Sequence, residues 1–236
     1  MGEDRFFSSI KILKPFYWHK TKSVNREEFF VSEIYTIGYS GFKLEGFISV
    51  LKSYNINGLI DVRSTPVSKY YTDYNKQELS VSLHKNEIAY RNYKYEFGAR
   101  QTERKYYPNG YLDFELFAKS ERFQEGMSRL ISAMPYGFRF ALMCSEKDPI
   151  FCHRAIMVAR EFNERGVLAK HILANGSTCT QLDIENRLVD MYFPDRDQFS
   201  LFGSPLTWDE MVSESYIQQN KRIGYRLDQD EDECDE

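Results

Sequence analysis

The stretch Phe140–Gly166, FALMCSEKDPIFCHRAIMVAREFNERG, decides the reading of this chain. It opens with Phe140, Ala141, Leu142 and Met143, an unbroken apolar run of the kind a parallel strand shows when both its faces are buried. A polar turn follows, Cys144-Ser145-Glu146-Lys147-Asp148, and Asp148-Pro149 reads as an N-cap with proline at the first helical position. The helix expected next lays Cys152, Ala155, Ile156, Ala159 and Phe162 on one stripe and stops at Gly166 as its C′ residue. Cys144 and Glu146 therefore fall at a strand's carboxyl end, with Cys152, His153 and Arg154 just inside the next helix. That edge is where open α/β sheets bind ligands.

Upstream, Ile34–Ile37 reads as a strand running into Gly38-Tyr39-Ser40-Gly41, after which Leu44, Phe47, Ile48 and Leu51 mark an amphipathic helix. Ser40 is placed to cap that helix, and its turn to receive a phosphate on backbone N–H groups. A second strand, Gly58–Val62, delivers Asp61 and Arg63 on one face at its end. A helix near 76–86 leads to a third strand around Ile88–Tyr93, and helices follow over 111–120 and 121–134. A strand over Val167–Leu173 carries His171, and a helix over Gln181–Phe193 closes the body. Strands alternate with helices throughout, so the expected fold is α/β: an open, mainly parallel five-stranded sheet with helices on both faces. The expected division is a basic, aromatic extension (1–32), the α/β domain (33–193), a C-terminal segment (194–226) and an acidic tail (227–236).

The 236 residues are 42% hydrophobic and 28% charged, with a net charge of −4, the profile of an ordinary globular domain. No apolar run is long enough to span a membrane and no signal peptide is legible, so the cytoplasm is the expected address and no membrane partner is expected. Four irregularly spaced cysteines read as reduced thiols. The net charge does not mark a nucleic-acid binder; local patches would have to do so. One such patch is 91–107, RNYKYEFGARQTERKYY, where cations alternate with rings, including Tyr95 and Arg100. That is the composition of a surface for phosphates and unstacked bases.

Candidate chemistry converges on one edge. Glu146 and Asp61 are the candidate acid/base or nucleophilic pair, with Cys144 and His153 beside them. Ser40, Arg63, Arg100, Arg154, His171 and Tyr95 are the candidate phosphate and substrate contacts. No cofactor is expected. Zinc is the lesser alternative, because C-x7-C-H is not a common zinc spacing. On a helix, moreover, adjacent Cys152 and His153 would point about 100° apart. The expected function is an enzyme acting on nucleic acid or nucleotides, in DNA repair, modification or defence. The alternatives are a non-catalytic nucleotide- or DNA-binding module, or a thiol- or metal-dependent enzyme.

Four pieces of the chain resemble the bacterial domain-of-unknown-function 488 family: TIGYSG (36–41), LIDVRSTPVS (59–68), MCSEKDPIFCHR (143–154) and HIL with the following Asn-Gly (171–176). The resemblance covers roughly residues 34–193 and implies site residues more than a reaction. LIDVRSTP also resembles the opening strand of a rhodanese domain, but no compact Gly/Arg loop follows Cys144, which argues against sulfur transfer. Further on, Asp197-Gln198-Phe199-Ser200-Leu201-Phe202-Gly203 resembles the peptide that docks bacterial repair and replication enzymes onto the sliding clamp. Gln198, Leu201 and Phe202 stand in its anchor positions.

Overall fold

The computed structural model describes residues 32–196 and 206–227. Residues 1–31, the clamp-like peptide with Gln198, Leu201 and Phe202, and the acidic tail beyond 227 lie outside the described residues. The strands are β1 (Glu33–Gly38), β2 (Gly58–Asp61), β3 (Ala89–Asn92), β4 (Phe140–Cys144), β5 (Leu168–Ile172) and β6 (Thr178–Thr180). They form one open sheet in the order β3-β2-β4-β1-β5-β6, parallel throughout except for antiparallel β6. The parallel α/β expectation holds with one addition. β6 folds back on β5 across the turn at Gly176, whose φ of 82° needs a residue without Cβ.

Period-two alternation divides the strand side chains between two cores. Tyr35, Ile37, Leu59, Ala141, Met143 and Ile172 face α1 (Leu44–Ser53) and α2 (Lys76–His84), meeting Phe47, Leu51, Leu79 and Leu83. Ile34, Ile60, Leu142 and Ala169 face the other way. They meet α3 (Lys94–Phe97), α4 (Phe114–Ala118), α5 (Glu121–Ala133), α6 (Arg160–Glu164), α7 (Gln181–Tyr192) and α8 (Trp208–Ile223). Thus α1 leaves β1 for one face, while the chain leaves β4 for the opposite one. The crevice between such diverging connections lies at the carboxyl ends of β1, β2 and β4, where Gly38 pairs with Cys144 and Asp61 with Met143.

His171 belongs to this framework. It is fully buried, its Nδ1 lies 2.9 Å from the Thr36 hydroxyl, and its Nε2 lies 2.9 Å from Gln181 Oε1. Gln181 Nε2 in turn donates to the Tyr216 hydroxyl on α8 (2.7 Å). The ring is thus committed to a packing network and does not reach the crevice. Burial and the Arg154 charge lower its pKa from 6.5 to about 4. The folded state therefore binds this proton less readily than the unfolded chain, and the resulting stability is complete above pH 6.5 and lost as pH falls towards 4. The shift corresponds to about 3 kcal/mol. Urea unfolding at pH 7 and pH 4 checks it: His171→Gln should be less stable than wild type at pH 7 but lose less on acidification.

Candidate active site

Four side chains meet where β4 ends. Glu146 Oε2 lies 3.2 Å from Cys144 Sγ and 3.3 Å from Cys152 Sγ. His153 Nδ1 lies 3.8 Å from the first sulfur and 3.9 Å from the second. This convergence corrects the helical reading of Cys152. Asp148 does cap a turn, accepting from the Ile150 N–H (3.1 Å), but the turn is a single 3-10 unit, Pro149–Phe151. The chain then extends at Cys152 (φ −132°, ψ 134°) before coiling again as a π-helical segment, Arg154–Ala159. Because Cys152 precedes the helix, it and His153 turn to the same point. A π-helical segment beside a functional cluster is a recurrent association. Ala155, Ile156, Ala159 and Phe162 are buried as expected, and Gly166 has the positive φ of a helix-ending residue.

His153 is oriented from behind. Its Nε2 lies 3.1 Å from the Val62 carbonyl, which can only accept, so Nε2 carries a proton and Nδ1 faces the sulfurs. The environments pull the four groups apart. A hydrogen bond with Cys152, together with burial, pushes the Cys144 thiol up. Burial opposes ionisation of Cys152, but the Cys144 hydrogen bond and the nearby Arg154 and His153 bring it down. Burial likewise opposes charge on His153, which its contact with Cys152 holds up. Burial and then the Cys152 charge push the Glu146 carboxyl up.

The cluster floors a cleft of about 610 Å³. Its walls are the β2 and β4 turns, the loop at Ala99 and Arg100, and the C-terminal end of α8. Arg63, Arg100, Arg222 and Arg226 line it, with Tyr39 and Tyr225, and Glu146 is the single carboxylate among the described residues that line it. The α8 contribution was not expected from sequence. It arises because the buried Asn220 donates to the Leu112 carbonyl (2.8 Å) and accepts from the Phe114 N–H (2.9 Å), fixing the helix end above the crevice.

Arg63 and Asp61 do share a face, but they are spent on one another. Asp61 is fully buried and accepts from Arg63 Nε (2.9 Å), Arg63 Nη2 (2.7 Å), the Arg63 backbone N–H (3.0 Å) and the Tyr90 hydroxyl (2.6 Å). Saturated in this way and absent from the cleft lining, Asp61 is an anchor for Arg63 rather than a partner of Glu146. Arg63 also donates to the Tyr74 carbonyl and lies over the Tyr39 ring, while its Nη1 is buried without a hydrogen-bond partner.

Other expectations are redistributed. Ser40 caps no helix, since α1 starts after Lys43; its backbone N–H donates to the Ser145 carbonyl (3.2 Å) and ties the β1 turn to the β4 turn. Arg154 is fully buried and donates to the Glu146 carbonyl (2.7 Å), so it props the Glu146 loop from inside and takes no place in the cleft lining. Tyr95 is 62% exposed and turned to Lys94, away from the cleft. Its neighbours Phe97, Tyr106 and Tyr107 are buried core, so the basic, aromatic stretch supplies Arg100 to the cleft but no array of rings.

Gly38 is required by the close approach of this loop. A Cβ there would stand 1.8 Å from the Glu146 carbonyl oxygen and 3.0 Å from Arg154 Nη2. Gly38→Ala should cost at least about 3 kcal/mol, because backbone must move to admit the methyl group. Chemical denaturation of the variant against wild type measures it.

The family model described as a domain of unknown function, DUF488, matches residues 43–160, half of the 236-residue chain. The chain belongs to the DUF488 family. The match contains Arg63, Arg100, Cys144, Glu146, Cys152 and His153, whereas Tyr39 precedes it and Arg222 and Arg226 follow it. No curated protein and no solved structure matches the chain. Among the described residues no helix is long and apolar enough to cross a membrane.

Proposed function

We propose that this DUF488 protein is an enzyme that hydrolyses a bond in a nucleotide, either free or within a DNA strand. The observation that carries the reading is the charge layout: among the described residues, four arginines surround a cleft whose single lining carboxylate, Glu146, sits on a Cys-Cys-His floor. Guanidinium groups recognise phosphate through paired N–H donors, a contact that Arg100, Arg222 and Arg226 bring to the cleft, whereas Arg63 has its Nε and Nη2 held by Asp61. Tyr225 and Tyr39 provide ring faces beside the cations for a base or sugar.

Glu146 is the acid/base group. It takes a proton from water as the water oxygen bonds to the substrate's phosphorus or sugar carbon; the leaving group departs with the electron pair of the broken bond and receives the proton back. Asp61 has no part in that step and acts by positioning Arg63. The clamp-like sequence at 198–202 favours DNA as the setting.

Mass spectrometry of products is the test, after incubation with nucleotides and with single-stranded, duplex and base-damaged DNA. A released base, a released phosphate or a cut strand is expected. Binding without any product would instead identify a non-catalytic module.

A further inference from the structure

We propose that Cys144, Cys152 and His153 hold a zinc ion whose fourth coordination position opens onto the cleft beside Glu146. This builds on the hydrolytic reading and supplies its water. Cys144 Sγ, Cys152 Sγ and His153 Nδ1 all lie within 4.8 Å of one another, and the two sulfur–nitrogen distances are 3.8 and 3.9 Å. Zinc–sulfur and zinc–nitrogen bonds of about 2.3 and 2.0 Å at tetrahedral angles separate sulfur from nitrogen by roughly 3.5 Å. An ion is therefore accommodated by movements of a few tenths of an ångström.

Two further features fit a metal better than a packed thiol cluster. The Val62 carbonyl holds the His153 Nε2 proton, which leaves Nδ1 to coordinate; a backbone carbonyl behind a ligating imidazole is a usual outer partner. The extended backbone at Cys152 breaks the helix at the one place where both neighbouring side chains need to converge. The Cys144 and Cys152 thiols both donate to Glu146 Oε2, at 3.2 and 3.3 Å, the protons that they must give up to bind an ion. Arg154 donates to the Glu146 backbone instead of its side chain. Two sulfurs and an imidazole select zinc over magnesium or calcium.

All three ligands line the cleft, so the remaining position is reached by water and substrate, as in a catalytic rather than a closed structural site. An ion held there would make a water at that position more acidic; Glu146 would take its proton as the water oxygen bonds to the substrate centre, and would return the proton to the leaving group.

The full chain, produced in zinc-supplemented medium and purified without chelator, should carry about one zinc ion by elemental mass spectrometry. Cobalt substitution should give the absorption of a tetrahedral thiolate site. Cys144→Ser and Cys152→Ser should each weaken the thiolate-to-cobalt band and the zinc content. Glu146→Gln should keep the ion while losing hydrolysis. Chelation should lower the melting temperature of wild type, and zinc should restore it, a readout that needs no variant to fold. Folded wild type that takes up neither zinc nor cobalt under reducing conditions would overturn the site. Protein that takes up neither ion yet binds an oligonucleotide overturns the metal site alone; zinc-loaded protein that binds none overturns the cleft reading alone.

Discussion

Glu146→Gln should reduce product formation by about 10²- to 10⁴-fold while leaving fold and ligand binding intact. The substitution preserves size and removes only the ability to take and return a proton. Both oxygens of Glu146 are engaged locally, Oε1 by the Ser145 hydroxyl at 2.9 Å and Oε2 by the two sulfurs. A glutamine can retain the serine contact through its own oxygen. Its backbone carbonyl, the group that Arg154 grips, is untouched. Turnover equal to wild type would remove Glu146 from the chemistry, whereas loss of binding together with turnover would make it a contact residue.

Asp61→Asn should behave in the opposite manner, costing about 3–5 kcal/mol of stability, because it leaves a buried guanidinium without its counter-charge. Asp61 is fully buried and Arg63 is 5% exposed, so water cannot take over the lost contacts. An asparagine offers one acceptor oxygen where the Arg63 and Tyr90 donors require two, and its amide N–H would face a donor. Replacing Arg63 by Gln as well should recover part of the loss, since no buried charge then stands alone. Denaturant midpoints of the two single variants and the double variant give the coupling. Unchanged stability with abolished turnover would return Asp61 to a catalytic role.

The framework was legible where side-chain pattern and burial coincide. The apolar run at Phe140–Met143 and the alternating strands at Ile34 and Leu59 needed no tertiary information. The three residues of β6 were too few to carry a pattern. Nothing in Ile150–Arg154 is a helix breaker, so the turn at Cys152 came from elsewhere: the Val62 carbonyl and Glu146 draw His153 and Cys152 to one point. The sequence placed Cys144, Glu146, His153 and Arg63 at the right edge. It could not show that Asp61 would be consumed by Arg63, or that Tyr106 and Tyr107 would turn inward while Tyr95 stayed exposed away from the cleft. The approach of Arg222 and Arg226 depended on Asn220, whose partners Leu112 and Phe114 lie more than a hundred residues away in the chain.

The most direct test of the central claim is the salt dependence of single-stranded oligonucleotide binding by wild type and by Arg100→Ala/Arg222→Ala. Both side chains line the cleft, and neither belongs to the buried Asp61 pair. The variant should bind more weakly, with a logarithmic salt slope shallower by about 0.7 for each arginine that meets a phosphate. Equal affinity and an unchanged slope would show that the cleft is not where phosphate binds.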